Sequence, residues 1–300
     1  MTSDAARGAT ARDAAVHAAR RLQPTFTPGE LLHVTGKSVL VAGTCDGQPV
    51  VAKLLLDQAP FWRDKFAREI RIYQAFAKTP PPVRAPHLVA VDPAAGVLIV
   101  ERLTGEPLDA DRYPQRPLRT SALTAVLDAV DALARWRPAA PINADGWDYA
   151  SRIDRYRSNG LLDDADHQAL TGLLAKAEPG RCFAHGDALP GNIWLTDDPA
   201  SPVAFLDWEF AGFFLPGLDL ALLWVLLRDA PSARDLIAAR IPADPAWRAA
   251  FTLNQAMVLT RELRTHREAE PSAWREARLA ALEADWDGFR STVLHPRKAP

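Results

Sequence analysis

His185, Asp187 and Asn192 fall within eight positions of one another in FAHGDALPGNIWL, flanked by Phe183 and by the apolar run Ile193, Trp194 and Leu195. Alone, His-Gly-Asp is an ordinary turn tripeptide. Its spacing to other residues gives it a sharper meaning: the asparagine follows the aspartate by five positions, and the next apolar segment, VAFLDW, ends in a second aspartate, Asp207, on a Trp-Glu-Phe turn. An aspartate as base, an asparagine five positions on as metal ligand and a later aspartate holding magnesium is the order that phosphoryl transfer uses. That reaction needs charge neutralised on the phosphoryl oxygens and a hydroxyl aligned for in-line attack. Asn192 and Asp207 offer oxygen donors for Mg2+, and Asp187 offers a carboxylate for the acceptor hydroxyl. Leu189-Pro190-Gly191 permits the tight loop that brings all three to the ends of adjacent strands.

Such a site also needs a cation for the nucleotide phosphates. Lys53 lies in VVAK, within an apolar strand pattern, and Glu69 follows sixteen residues later on the next helix. A lysine in an apolar strand is costly to bury unless it is paired or bound to phosphate, and Glu69 is the carboxylate that could pair with it.

The elements that must hold these groups read clearly. ELLHV, SVLVAG and PVVAKLLL are β-branched runs separated by turn residues, with Asp46-Gly47 as the hairpin signal of an antiparallel meander. In PFWRDKFAREIRIYQAFAK, Phe61, Phe66, Ile70, Tyr73 and Phe76 recur at helical steps. Prolines 80, 81, 82 and 86 then force an irregular loop before two further strands, HLVAV and GVLIVE. Beyond the connector at 101–106, helical periodicity dominates at 118–137, 147–158, 163–177, 217–228, 245–269 and 272–293. Short strands at RCFAH, NIWLT and VAFLDW surround the opening motif. The N-terminal ARDAAVHAARRL reads as a first helix, and a basic tail, HPRKAP, ends the chain. The fold class is therefore α+β: residues 1–102 form a lobe with a five-stranded antiparallel sheet and a helix, and residues 103–300 a larger, mostly helical lobe.

Composition narrows the partners. A 300-residue chain that is 48% hydrophobic can bury one large core or two smaller ones. A net charge of -2 gives no electrostatic reason to bind nucleic acid or an anionic membrane surface. The longest apolar run, LDLALLWVLL, is interrupted by Asp219 and is shorter than the ~20 residues of a membrane span. Cys45 and Cys182, the two cysteines, have no zinc-site spacing. A reduced, cytoplasmic setting and a monomer or homodimer are expected.

On Lys53, Glu69, HGDALPGN, FLDWEF and LPGLDLA, the chain resembles the aminoglycoside phosphotransferase and choline kinase-like family, relatives of the protein kinases, over about residues 30 to 225. The resemblance implies a bilobal, protein-kinase-like fold with ATP between the lobes. It further implies Lys53 on the α- and β-phosphates, Glu69 orienting it, and adenine against the connector backbone near Glu101 and Leu103. His185 is then structural, and Asp219 braces the catalytic loop. The phosphate-covering loop VTGKSVLV departs from the protein-kinase pattern by having a single glycine, which leaves the backbone and hydroxyls around Gly36, Lys37 and Ser38 as the cover. Only eleven residues separate Asp207 from Asp219, too few for a long regulatory activation segment, so activity is constitutive and the acceptor is a small molecule.

Two rival readings fit less well. TGKS resembles the end of a P-loop, but position 31 is leucine where that motif needs glycine, and a strand follows in place of a helix. A metal-dependent phosphohydrolase would use His185, Asp187 and Asp207 but needs neither Lys53 nor Glu69. The acceptor is read from charge. Residues 145–166 carry six acidic side chains and 262–287 seven, including Glu262, which suggests an acidic cleft for a polycation. That points to a cationic hydroxylated antibiotic, an aminoglycoside or a basic cyclic peptide of the capreomycin and viomycin kind. The alternative is a metabolic alcohol such as choline or homoserine.

Overall fold

Helix α1 (Thr2–Leu22) and strand β1 (Thr27–Val34) lead into the hairpin of β2 (Ser38–Cys45) and β3 (Gln48–Leu55). Asp46 and Gly47 turn this hairpin with φ of 50° and 78°. Such a left-handed pair matches the twist of the flanking strands, and an Asp-Gly dipeptide adopts it at little cost. Helix α2 (Pro60–Lys78), β4 (Leu88–Asp92), β5 (Val97–Glu101) and the short β6 (Glu106–Pro107) follow. Strands β1 to β5 form one antiparallel sheet in the order β1-β2-β3-β5-β4. The coordinates are a computed structural model that describes residues 2–138, 142, 144–177 and 180–295, with side chains from residue 7 onward. The basic tail lies outside them from residue 296.

The two faces of the sheet are covered differently. Ala11, Ala15 and Ala19 of α1 recur at four-residue steps and pack with Val39, Val41, Val50, Ala52, Val97 and Ile99. Their small side chains let the helix approach the sheet closely. Because side chains alternate along a strand, Lys53 points away from Val50 and Ala52, toward the side where α2 buries Phe66, Glu69, Ile70 and Tyr73.

The remaining elements are α3 (Thr120–Arg135), α4 (Tyr149–Ser158), α5 (Asp164–Lys176), β7 (Cys182–Ala184), β8 (Ile193–Leu195), β9 (Val203–Phe205) and β10 (Gly212–Phe214). Helices α6 (Leu218–Leu226), α7 (Pro231–Ala238), α8 (Pro245–Glu268) and α9 (Ala273–Phe289) complete the chain. Two compact units result. The first takes in Met1–Leu108, Trp136–Ala144 and Gly191–Gly212; the second Asp109–Arg135, Asp145–Pro190 and Phe213–Pro300. In the first, β6, β8 and β9 form a small second sheet. In the second, α5, α6 and α9 pack around α8, which is buried along most of its length, polar residues Asn254, Gln255, Thr260, Glu262 and His266 included. No helix among the described residues is long and apolar enough to cross a membrane.

Sequence periodicity located the long elements to within a few residues, except that α1 begins at Thr2, well before the expected start at Ala11. It did not find β6, β10 or α7, which are two, three and eight residues long and too short to show a period.

Candidate active site

In the first unit the site is built around one buried ammonium. Lys53 Nζ donates to Glu69 Oε2 at 2.6 Å and to Asp207 Oδ1 at 2.7 Å, with Glu209 Oε2 at 3.5 Å. Lys53 is 7% exposed and Glu69 2%. Burial works against the charge on Lys53, but Asp207, Glu69 and Glu209 outweigh it and hold the ammonium well above its ordinary range. Burial pushes the Glu69 carboxyl up to about 7 against the pull of Lys53, with Asp207 and Glu209 adding to the rise. These carboxylates exceed the one lysine among them, and a second cation offsets part of the excess: Lys37 Nζ donates to Glu209 Oε1 at 2.7 Å. Lys37 also lies 5.0 Å from the centre of the Trp62 ring.

Local structure explains why Asp207 projects as it does. Trp208 is fully buried, with its ring 4.8 Å from Phe76 and its Nε1 donating to Phe205 O at 2.9 Å. With Trp208 anchored, Asp207 takes the left-handed conformation, φ 62°, which aspartate tolerates better than most residues. Asn192 ends a 3₁₀ turn, Pro190–Asn192, just before β8. The register pairs Ile193 with Phe205, and Leu206 N donates to Asn192 O at 2.9 Å, so Asn192 and Asp207 flank the same end of the β8–β9 ladder. Both offer hard oxygen donors, the kind magnesium takes. Among the described residues, Glu69, Asp207 and Glu209 are the carboxylates close enough to share an ion. Asp207, with 31% of its side chain exposed against 3% for Glu69 and 4% for Glu209, is the one that solvent reaches. These residues fit a magnesium site with Asp207 as its carboxylate, and replacing that ligand with alanine is expected to weaken Mg-nucleotide binding by an order of magnitude or more while ATP alone binds as before. Calorimetry with and without Mg2+ checks this, and unchanged affinity for Mg-ATP would exclude Asp207 as a main ligand.

The loop between β1 and β2 differs from its expectation. The amides of Lys37 and Ser38 both donate to Thr35 Oγ1, at 3.2 and 3.1 Å, and Ser38 is 2% exposed. The threonine hydroxyl closes a local turn and uses the backbone donors that were expected to cover phosphates. The loop instead presents the Lys37 ammonium, while Gly36 stands in open space. At the connector, the Glu101 amide donates to His87 O at 2.9 Å and is thereby engaged in the sheet. The Glu101 carboxylate accepts from Arg84 and from the His87 amide, which hold it below its usual range despite partial burial. Glu101, Leu103 and Thr104 border a cavity of about 200 Å3 together with Arg84, Thr196 and Ser201.

In the second unit, β7 ends at Ala184 and the motif turns immediately. Asp219 accepts from the His185 amide at 2.8 Å and from the Gly186 amide at 2.9 Å. Burial raises the Asp219 carboxyl, opposed by His185 and these amides. Gly217 sets up this brace: its φ is 83°, and a Cβ there would come within 3.0 Å of Trp247 and Phe251. His185 is fully buried, and its Nδ1 accepts from the Asp187 amide at 3.3 Å. The turn thus fixes Asp187, whose side chain keeps 17% exposure.

The neighbours of Asp187 in this unit were not foreseen. Arg261 Nη1 on α8 lies 3.6 Å from Asp187 Oδ1. Glu262, fully buried, accepts two hydrogen bonds from Arg112 at 3.0 and 2.7 Å and one from Tyr113 at 2.7 Å. Burial alone would raise the Glu262 carboxyl; Arg261 and Arg112 hold it at about 2. Other carboxylates counted toward an acidic cleft are likewise engaged. Asp148 and Asp163 cap α4 and α5. Asp164 pairs with Arg157, Asp166 with Arg290, Glu283 with Arg267, and Asp285 with Arg228 and Arg234.

Solved structures of low sequence identity share this fold. The complex of an aminoglycoside 2″-phosphotransferase with GDP and kanamycin superimposes with a TM-score of 0.63 at 15% identity, covering 91% of this chain and 98% of that one. A choline/ethanolamine kinase family protein from Mesorhizobium loti gives 0.62 at 20% identity, covering 89% and 90%. A ternary complex of an aminoglycoside phosphotransferase, APH(4)-Ia, with AMP-PNP and hygromycin B gives 0.62 at 17%, covering 93% and 98%. No curated protein matches the sequence. The sequence model of one family matches residues 39–251, a span that runs from β2 into α8 and holds Lys53, Glu69, Asp187, Asn192 and Asp207; the chain belongs to the phosphotransferase enzyme family.

Proposed function

We propose that the chain transfers the γ-phosphoryl group of ATP to a hydroxyl of a small molecule. The observation that carries this reading is the buried Lys53, held by Glu69 and Asp207, an arrangement that positions a cation for phosphate and that a metal-dependent phosphohydrolase does not need. Lys53 binds the α- and β-phosphates, Glu69 fixes its orientation, and Lys37 adds a second cation. Adenine lies against the backbone at Glu101 and Leu103. Asn192 and Asp207 hold Mg2+, which neutralises phosphate charge when bound. Asp187 accepts the acceptor's hydroxyl proton; the freed oxygen lone pair forms the new P–O bond as the bond to the β,γ-bridging oxygen breaks and ADP leaves. Functionally, residues 1–102 serve the nucleotide and 103–300 the catalytic loop and acceptor.

The acceptor reading supported best is a small hydroxylated metabolite, because an arginine, Arg261, lies beside Asp187 in its own unit. A cationic antibiotic is the second reading, favoured by relatives solved with kanamycin and hygromycin B. The test is incubation of the intact protein with Mg-ATP and a panel of hydroxylated antibiotics, amino alcohols and hydroxy acids, with mass detection of one added phosphoryl group. A single phosphorylated product is expected. ADP and inorganic phosphate from every mixture, with no acceptor modified, would contradict the proposal.

A further inference from the structure

Asp187 shares its surroundings in the second unit with arginines whose hydrogen bonding is incomplete. Arg261 has five N–H donors. Its Nε donates to Glu262 Oε1 at 3.2 Å. Its Nη1 is 3.6 Å from Asp187 Oδ1, near enough for attraction and too far for a hydrogen bond. Its Nη2 is buried and has no partner. A buried guanidinium left so short of acceptors is uncommon and costs about 1–3 kcal/mol per unsatisfied donor. Glu262 cannot make up the shortfall, since its two oxygens already accept four hydrogen bonds, two from Arg112, one from Tyr113 and one from Arg261 Nε itself.

Arg152 on α4 is the second member. It stacks 4.1 Å over the Trp147 ring and donates to Tyr156 Oη at 2.9 Å. Among the described residues no carboxylate pairs with it. Burial lowers its pKa, and the like charges of Arg155 and Arg261 lower it further, opposed by Tyr156. Arg152 and Arg261, both part-buried, therefore repel one another, and of the two Arg261 is the one beside Asp187. Arginine is suited to binding carboxylates and phosphates through paired N–H bonds. Arg261 and Asp187 each retain solvent access, 15% and 17% of their side chains, so a ligand can reach both.

We propose that the acceptor carries an anionic oxygen group, a carboxylate or a phosphate, as well as its hydroxyl, and that Arg261, with Arg152 beside it, binds that group while Asp187 receives the hydroxyl proton. The inference rests on the phosphotransferase reading given above and narrows its substrate to a hydroxylated acid. It runs against the expectation of a polycation: the guanidinium group next to Asp187 attracts an anion.

The experiment pairs binding with turnover. The probes are 4-hydroxybutanoate, glycerate, glycerol 3-phosphate, serine and threonine, each acid set against its carboxamide and glycerol 3-phosphate against glycerol, with kanamycin as the cationic control. Binding is read from the concentration dependence of the melting temperature of the intact chain, and turnover from phosphorylated product with Mg-ATP. At least one acid is expected to bind and react about 10- to 100-fold better than its neutral counterpart, the range that hydrogen bonds to a charged group supply. Arg261→Gln should abolish that preference. Arg261→Lys, which keeps the charge and loses the fork, should retain part of it, and this separates recognition from any loss of fold. Equal use of acid and amide, preference for kanamycin, or an Arg261→Gln defect confined to the KM for ATP would overturn the inference while leaving the phosphotransferase reading intact. Binding of an acid that depends on Arg261, with no phosphoryl transfer to any probe, would sustain the inference and count against the parent reading. Failure of every acid and phosphate probe to bind would overturn it.

Discussion

Asp187→Asn is expected to lower turnover by about 10²- to 10⁴-fold, or about 3–5 kcal/mol of barrier, the usual contribution of a positioned general base. The amide is nearly isosteric and accepts no proton from the attacking hydroxyl. The backbone around position 187 does not depend on its side chain, because Asp219 holds the His185 and Gly186 amides and His185 holds the amide of residue 187. Affinity for Mg-ATP should therefore stay within about twofold of wild type, since the phosphate-binding groups assigned here lie elsewhere in the sequence. Steady-state kinetics together with calorimetric titration check both halves. Unchanged turnover would refute Asp187 as the base, whereas a loss of ATP affinity equal to the loss of turnover would show that the substitution disturbs more than proton transfer.

Lys53→Met is expected to remove nucleotide binding and also to destabilise the chain, by about 3–5 kcal/mol at neutral pH, the cost of leaving a buried charge without its partner. Glu69 is 2% exposed and Glu209 3%; without Lys53, Lys37 remains for Glu209, and Glu69 has lost the ammonium that donates to it. The pH dependence follows from the direction of the Glu69 shift. Its carboxyl is already raised to about 7 in the folded chain, so the folded state binds this proton more readily than the unfolded state does. Protonated Glu69 favours folding below the unfolded value, and that contribution is lost as pH rises through the folded one. Removing Lys53 moves the folded value further in the same direction. The stability gap between Lys53→Met and wild type should therefore be smaller at about pH 5 than at about pH 8, and the double variant with Glu69→Gln should recover much of it at the higher pH. Chemical denaturation at the two pH values measures this. A gap that widens on acidification would contradict the charge arrangement proposed for the site.

What the sequence disclosed, and what it did not, divides along physical lines. Asp46-Gly47 can turn a hairpin in few ways, and the apolar stripe of α2 has one face to bury, so both were readable and both place Lys53 and Glu69 on the same side of the sheet. Glu209 has no legible role in the sequence, because an acidic residue two positions after Asp207 on a tight turn looks exposed. Only the anchoring of Trp208 turns that carboxylate inward to Lys37 and Lys53. Arg261 carried no local signal at all. It lies on α8, a helix so enclosed that its polar residues face other side chains as often as solvent, and periodicity cannot separate a buried polar position from an exposed one. The acidic counts are weak guides for a related reason: Asp163, Asp166, Glu262 and Asp285 are matched by arginines distant in sequence, and a count of charges in a window omits their partners.

Whether the buried lysine and its flanking carboxylates serve one magnesium-bound nucleotide is decided by calorimetric titration of the intact chain with ATP in the presence and absence of Mg2+. The predicted result is one site per chain, with affinity that rises when Mg2+ is present and is lost in Lys53→Met. Absence of ATP binding under both conditions, or binding indifferent to Lys53, would contradict it.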